Sequence, residues 1–154
     1  MGNQQHGIDP MKIAAVAQEI ADAYHQNPFQ LGIVVGAGNL FRGAMTSLPG
    51  VGREDADNMG MLSTYINAIA LKGALINAGL SAAIYGAIPI PGIAAMFERD
   101  AVLRDLNSNT ILIFGAGTGH PYFSTDTAAV LRALQIGADL LIKGTKTEGV
   151  YNKD

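Results

Sequence analysis

The chain has 154 residues, of which 49% are hydrophobic and only 15% charged, and its net charge at pH 7 is −3. This length suffices for one domain with a substantial core. The slightly negative charge and the lack of a Lys/Arg cluster argue against a nucleic-acid or membrane-surface partner. No cysteine is present, which excludes disulfides and thiolate chemistry. We find neither a secretion signal nor an apolar run of membrane-spanning length, and we expect a cytoplasmic protein.

The first predicted helix begins at Asp9-Pro10, with Asp as N-cap and Pro at the first helical position. The apolar run Leu31–Val35 then predicts a buried strand. It leads into the first glycine loop, Gly36–Gly43, which reads Gly-Ala-Gly-Asn-Leu-Phe-Arg-Gly. Glycines let backbone N–H groups approach an anion closely, so this loop is a candidate phosphate site. Arg42 is either a bidentate phosphate clamp or an exposed surface arginine.

A long helix is predicted over Asp55–Ala78, after the turn-rich connection Thr46–Arg53. Its apolar stripe indicates burial on more than one side, either in the core of the domain or against another subunit. Asp57 lies in the first turn, where it favours the helix dipole or accepts hydrogen bonds from ligand hydroxyls. A strand over Ser81–Tyr85 and a short charged helix over Glu98–Leu106 follow.

The second glycine loop, Gly115–Gly119, follows the apolar run Ile111–Phe114 and reads Gly-Ala-Gly-Thr-Gly. A hydroxyl-rich turn and a predicted helix over Ala128–Ile136 come next. A strand, a glycine loop and a helix in succession suit phosphate binding, although a plain tight turn would show the same pattern. The spacing matches neither the dinucleotide-binding pattern nor a P-loop. Asp139–Lys143 is predicted as the last strand, before the polar tail Gly144–Asp154.

The alternation of helices and strands predicts an α/β fold, a three-layer α/β/α sandwich around a mainly parallel sheet. We find no linker or shift in composition and predict one domain over residues 1–154. Ligands of open parallel sheets bind at the carboxyl ends of the strands. Both glycine loops, which share the sequence Gly-Ala-Gly, follow predicted strands and are therefore expected to face one crevice.

Four blocks of the chain resemble the bacterial uridylate (UMP) kinases of the amino-acid kinase superfamily. The blocks are Val35–Gly43, Asp57–Leu62, Gly117–Asp126 and Lys143–Asp154, in family order, and Gly7–Pro10 matches as well. The resemblance implies a carbamate kinase-like fold and transfer of the γ-phosphoryl group of ATP to UMP, giving UDP and ADP in pyrimidine nucleotide biosynthesis. It further implies Mg²⁺ as the cofactor with ATP, a homohexamer, and GTP and UTP as effectors.

The same resemblance assigns site residues. Those implied at UMP, with Asp57 at the ribose, are Ala37, Asp57, Thr118, Gly119, His120, Pro121, Tyr122, Phe123, Ser124 and Thr125. Those implied at ATP are Gly38, Arg42, Thr145, Tyr151 and Asp154. The catalytic candidates are Arg42, Asp126 and Lys143, and no protein ligand to the metal is expected. Two positions depart from the family: His120 stands where Asn is frequent, and is interpreted as a loop hydrogen-bonder, and Ala37 stands where Gly is usual.

The family also has segments without a counterpart here. Its first strand carries a Lys-x-Ser-Gly motif that holds ATP phosphates, and it continues past Asp154. We therefore expect an incomplete domain that retains most of the UMP site and part of the ATP site, with less activity than a complete enzyme.

Other functions remain open at this point. Another kinase of the superfamily would act on a different acceptor, and a nucleotide- or oxyanion-binding protein would bind without turnover. A Rossmann dehydrogenase is disfavoured, because Asp139 lies at the beginning of its predicted strand rather than at the end. A domain without a ligand would require both glycine loops to be ordinary turns.

Overall fold

The computed structural model describes residues 7–41 and 49–144. Its elements in chain order are α1 (Pro10–Gln26), β1 (Gly32–Val34), α2 (Arg53–Asn77), β2 (Ala82–Gly86), β3 (Ala95–Met96), α3 (Arg99–Asn107), β4 (Ile111–Gly115) and α4 (Thr125–Ile136). The four strands form one sheet in the order β1-β4-β2-β3, and every neighbouring pair is parallel. The predicted α/β fold with a parallel sheet is confirmed.

Helices cover both faces of this sheet, so the described residues form three layers. Successive side chains of a strand point to opposite faces, and β4 is buried on both. Its Ile111 and Ile113 belong to the apolar cluster formed with α1 and α2. Its Leu112 and Phe114 belong to the cluster on the other face, with α3 and with Ile136 of α4.

The first helix begins where the sequence predicts. Asp9 has extended backbone angles, and its carboxylate accepts hydrogen bonds from the backbone N–H of Met11 at 3.0 Å and of Lys12 at 3.2 Å. Pro10 occupies the first helical position, where its missing N–H has no cost. The cap satisfies two N–H groups that the helix itself leaves without partners.

The helix α2 crosses the sheet and packs against α1, β2 and β4. It begins two residues before the predicted start. By length and hydropathy alone α2 could cross a membrane, contrary to the expectation that the chain has no apolar run of that length. Helices in a protein core meet the same two criteria. The side facing the sheet carries buried residues, and the opposite side exposes Leu62, Ile66, Ile69 and Ile76.

The segment Asp139–Lys143 does not form a strand, so this prediction is wrong. Its side chains are largely in solvent, with Leu140 73% and Ile142 77% exposed. A strand requires a neighbouring strand for its backbone hydrogen bonds, and no described strand pairs with this segment. Its apolar composition signals a tendency to be buried, but composition does not reveal whether a pairing strand is within reach.

The N-cap of α1 gives a direct test of helix capping. We expect Asp9→Ala to lower the free energy of unfolding by about 1 kcal/mol, because two N–H groups lose their acceptor. Asp9→Asn is the matched control, since its side-chain oxygen still accepts these bonds, and we expect a change of only a few tenths of a kcal/mol. Urea denaturation measures both variants, and equal losses in the two would contradict the assignment of the cap.

Candidate functional site

A cleft separates the two glycine loops at the carboxyl edge of the sheet. Because β1 and β4 are neighbouring parallel strands, the loops that follow them lie side by side. The cleft is open and has a volume of about 420 Å³. Its walls come from both loops, from α2 and from the start of α4, and consist of Ala37, Gly38, Phe41, Arg53, Asp57, Gly60, Met61, Thr64, Gly117, Tyr122, Phe123, Ser124 and Thr125.

Thr64 of α2 holds the second glycine loop. Its buried hydroxyl accepts a hydrogen bond from the Ala116 N–H at 2.7 Å and donates to the Met61 carbonyl at 2.6 Å. Ala116 has a φ of +57°, a left-handed conformation that is unfavourable for a residue with a side chain. The bond from Thr64 therefore contributes to keeping the loop in a conformation that it would rarely adopt alone.

Asn67, one turn further along α2, holds the first glycine loop. Its side-chain amide donates to the Gly36 carbonyl at 2.6 Å and to Asn39 Oδ1 at 2.7 Å. Asn39 returns a hydrogen bond to Asn67 Oδ1 at 3.1 Å and donates to the Gly7 carbonyl at 2.9 Å. This pair of amides satisfies both side chains and ties the first loop to α2 and to the start of the described chain.

Two glycines of the second loop are required by close packing alone. A Cβ at Gly115 would lie 2.5 Å from Tyr65 Cε1, and one at Gly119 would lie 2.7 Å from Ala87 Cβ. Gly119 also has a φ of +81°. These two positions fit the plain-turn interpretation, so their presence does not by itself indicate a ligand.

Asp57 lies in the wall of the cleft and joins α2 to the residues that follow the second loop. Its side chain is 15% exposed, and Oδ2 accepts hydrogen bonds from the Tyr122 N–H at 2.9 Å and from Arg53 Nε at 2.8 Å. Oδ1 has no hydrogen-bond partner among the described residues. The Tyr122 bond is the main reason that the pKa of Asp57 is lowered; burial opposes it and Arg53 adds to it. The carboxylate is therefore ionised at neutral pH.

Two exposed aromatic rings stand beside this carboxylate. Tyr122 has a φ of +70°, and its hydroxyl lies 3.4 Å from Glu54 Oε1. The Arg53 guanidinium lies 5.4 Å from the centre of the Tyr122 ring, within the range of a cation–π contact. Phe123 follows and is equally exposed. The cleft thus offers flat apolar surfaces next to an anionic hydrogen-bond acceptor.

The cleft also contains features that favour an anion. The N–H group of Gly117, which lines the cleft, donates to no acceptor among the described residues. The helix α4 begins at the cleft, where Ser124 caps it by accepting from the Thr127 N–H at 3.1 Å. A helix N-terminus carries partial positive charge and unpaired N–H donors. Within residues 7–41 and 49–144, no group of three His, Cys, Asp or Glu residues is arranged to hold a metal ion.

The structure brings together only some of the predicted site residues. Those that line the cleft are Ala37, Gly38, Asp57, Tyr122, Phe123, Ser124 and Thr125. Those that form the turn before Tyr122, without lining the cleft, are Thr118, Gly119, His120 and Pro121. In that turn the Thr118 hydroxyl accepts from the His120 N–H at 3.2 Å. The His120 backbone hydrogen-bonds within the loop, while the role of its side chain stays a prediction.

The remaining candidates lie elsewhere. Asp126 and Lys143 form an ion pair of 2.7 Å between exposed side chains that do not line the cleft. Arg42, Thr145, Tyr151 and Asp154 lie outside the described residues. The catalytic and ATP-binding roles of these six residues stay predictions.

Sequence reasoning missed several residues of the cleft. Met61 and Thr64 follow the predicted residue Asp57 at helical spacing, which places all three on one face of α2, and this signal was available. Met61 both packs in the core and lines the cleft. Arg53 was assigned to a turn and is instead the first residue of α2.

The Thr64 contact predicts an effect on local stability. In Thr64→Val the shape is kept but the buried Ala116 N–H loses its acceptor, so we expect a local cost of about 1–3 kcal/mol and roughly 5- to 150-fold faster amide hydrogen exchange at Ala116. Thr64→Ser keeps the hydroxyl and should leave that exchange rate close to the original. Unchanged exchange in the valine variant would contradict the assigned bond.

The lowered pKa of Asp57 predicts a dependence of stability on pH. Its folded-state pKa lies below the ordinary value of 3.8, so the ionised carboxylate stabilises the folded chain above that value and this contribution is lost as the pH falls through the lower folded-state pKa. Asp57→Asn removes the charge. We expect the original chain to be the more stable at about pH 7, with the difference shrinking towards about pH 3. Urea denaturation across this range measures it, and a difference that does not change with pH would refute the charge effect.

The chain is similar to curated proteins along its whole length. It is 47% identical over 154 residues to the uridylate kinase of Legionella pneumophila (strain Corby) and 45% identical over 154 residues to that of Pseudomonas fluorescens. Each alignment covers 100% of this chain and 62% of the relative. The chain therefore spans about 62% of the length of these relatives.

Solved structures show the same similarity. A UMP kinase from Ureaplasma parvum superimposes with a TM-score of 0.88 at 32% identity, over 100% of this chain and 68% of that one. A UMP kinase from Bacillus anthracis gives a TM-score of 0.88 at 30% identity, over 99% of this chain and 63% of that one. The model of the amino acid kinase family matches residues 2–154. The chain belongs to the amino acid kinase family.

Proposed function

We propose that this chain binds UMP and takes part in the transfer of the γ-phosphoryl group of ATP to UMP, which gives UDP and ADP. One observation carries the proposal: the cleft between two glycine loops, with Asp57 in its wall, occurs in a chain 47% identical throughout to a uridylate kinase. Because the chain spans 62% of that relative, the activity, the substrates and the partners are all part of the proposal.

The nucleoside is assigned to the side of the cleft formed by Asp57 and the aromatic rings. An ionised carboxylate only accepts hydrogen bonds, which suits the hydroxyl donors of a ribose. Oδ1 of Asp57 is available for such a donor, while Oδ2 stays bonded to Tyr122 and Arg53. The faces of Tyr122 and Phe123 offer apolar surface to a pyrimidine ring. The turn over 118–121 precedes these two aromatic residues, and we propose that Thr118, Gly119, His120 and Pro121 also contact UMP, as the resemblance implies.

The phosphates are assigned to the glycine loops and to the start of α4. The Gly117 N–H, the Thr125 hydroxyl and the helix N-terminus supply donors and positive potential. Ala37 and Gly38 form the opposite wall, where the methyl group of Ala37 narrows the space beside UMP. On the ATP side we propose Gly38, Arg42, Thr145, Tyr151 and Asp154, and as catalytic groups Arg42, Asp126 and Lys143.

The chemistry requires positioning and neutralisation of charge more than acid–base catalysis. The acceptor is a phosphate oxygen that is already ionised, so a strong general base is unnecessary. The lowered pKa of Asp57 is consistent with a binding role, because a carboxylate with a low pKa is a poor general base. Mg²⁺ is proposed as the cofactor that arrives with ATP and offsets phosphate charge. The described residues contain no cluster of three His, Cys, Asp or Glu residues to hold it.

We further propose a homo-oligomer, a homohexamer as in the resembling family, with GTP and UTP as effectors and a cytoplasmic location. The outer side of α2 supports an interface between subunits, because Leu62, Ile66, Ile69 and Ile76 are each about half exposed along one helix. A continuous apolar stripe of this kind is typical of a surface that another protein covers.

Calorimetric titration with UMP and then with ATP–Mg²⁺, combined with an assay of UDP formation, tests the function. We expect UMP to bind, and Asp57→Asn to weaken it by about tenfold or more through loss of a charged acceptor. Asp100→Asn, a similar change on the exposed start of α3, is the control and should bind UMP normally.

Other binding results would favour other functions or overturn this one. UMP binding without UDP formation would favour a nucleotide-binding protein without turnover. Tighter binding of another phosphate or a carboxylate acceptor would favour a different kinase of the family. A folded chain that binds no UMP would overturn the proposal.

A further inference from the structure

Arg132 is a buried cation beside the second glycine loop. It lies on α4 and is only 4% exposed. Its guanidinium stacks over the ring of Phe97 with a separation of 4.2 Å from the ring centre. Nη1 donates to Gln135 Oε1 at 2.7 Å, and Nη2 lies 3.5 Å from the Gly117 carbonyl oxygen.

The charge of Arg132 has no counter-ion among the described residues. The ion pairs found in this part of the chain are Arg53–Asp57 and Lys143–Asp126. Nε of Arg132 has no hydrogen-bond partner there. Burial lowers the pKa of the guanidinium, and only an interaction with Tyr65 opposes this. A buried and unpaired cation is costly, and packing does not require one, because an apolar side chain of similar length would fill the same space.

Arg132 lies directly behind a residue of the cleft wall, Gly117. Gly117 separates Arg132 from the cleft, since its carbonyl faces Arg132 and the same residue lines the cleft. A charge in this setting is screened by little water, so its field reaches through one thickness of backbone. The N–H of Gly117 donates to no acceptor among the described residues, so this donor is available to a ligand.

We propose that Arg132 is a positioning residue whose buried positive charge acts across Gly117 to favour an anionic phosphate in the cleft. This inference rests on the proposed function, because it takes the ligand to be a nucleotide monophosphate. Arg132 does not touch the ligand. It holds the Gly117 carbonyl turned away from the cleft and supplies the positive potential that the phosphate requires.

Titrations with UMP and with uridine separate the effect of the Arg132 charge on the ligand's phosphate from its effect on the shape of the site. Uridine carries the same base and ribose without the phosphate charge. We expect Arg132→Met, which keeps the apolar stem and loses the charge, to weaken UMP binding by roughly tenfold and to leave uridine binding nearly unchanged. Arg132→Lys keeps the charge and should bind both ligands within about threefold of the original chain. Far-UV circular dichroism and thermal unfolding check the fold of each variant.

The titrations distinguish a failure of UMP binding, on which the inference rests, from a failure of the role of Arg132. If the original chain does not bind UMP, the proposed function fails and this inference fails with it. If the original chain binds UMP and Arg132→Met weakens UMP and uridine equally, or weakens neither, only the role of Arg132 is overturned. If the methionine variant does not fold, Arg132→Lys decides: a preserved ratio of UMP to uridine affinity supports the role of the charge, and a tenfold fall in that ratio overturns it.

Discussion

Three hydrogen-bonding side chains on one helix determine the shape of the cleft. Asp57, Thr64 and Asn67 of α2 bond respectively to the residues after the second glycine loop, to that loop itself and to the first glycine loop. They span about 15 Å along the helix axis. The parallel sheet places the loops side by side, but it is α2 that fixes how they are bent.

The buried polar residues of the described chain all serve this edge of the sheet. Thr64, Asn67 and Arg132 are the polar side chains buried there, and each contacts a glycine loop. A buried polar group is costly unless it is bonded, so a protein core normally avoids it. Here the apolar clusters supply the stability of the layers, and the polar groups are concentrated where the backbone must take unusual conformations.

Local signals predicted the parts of the structure that depend on nearby residues. The cap at Asp9, the strands that lead into the glycine loops and the loops themselves arise from short-range chemistry, and the resemblance located Asp57 in the cleft wall. The strand before the first loop is only partly buried, because β1 lies at the edge of the sheet. The contacts of Thr64, Asn67 and Arg132 join residues far apart in sequence, so no pattern within a short window reveals them. The strand predicted over Asp139–Lys143 is absent for a related reason, since a strand depends on a pairing strand and not only on its own composition.

The two oxygens of Asp57 have different surroundings, and this has a consequence for ligand binding. Oδ2 is bonded to Tyr122 and Arg53, whereas Oδ1 has no partner among the described residues. One carboxylate can thus hold the polypeptide and accept a ligand hydroxyl at the same time, without exchanging one bond for the other. The acceptor is oriented before the ligand arrives, and the entropy of fixing it is lost during folding rather than during binding. The site is in this respect preorganised.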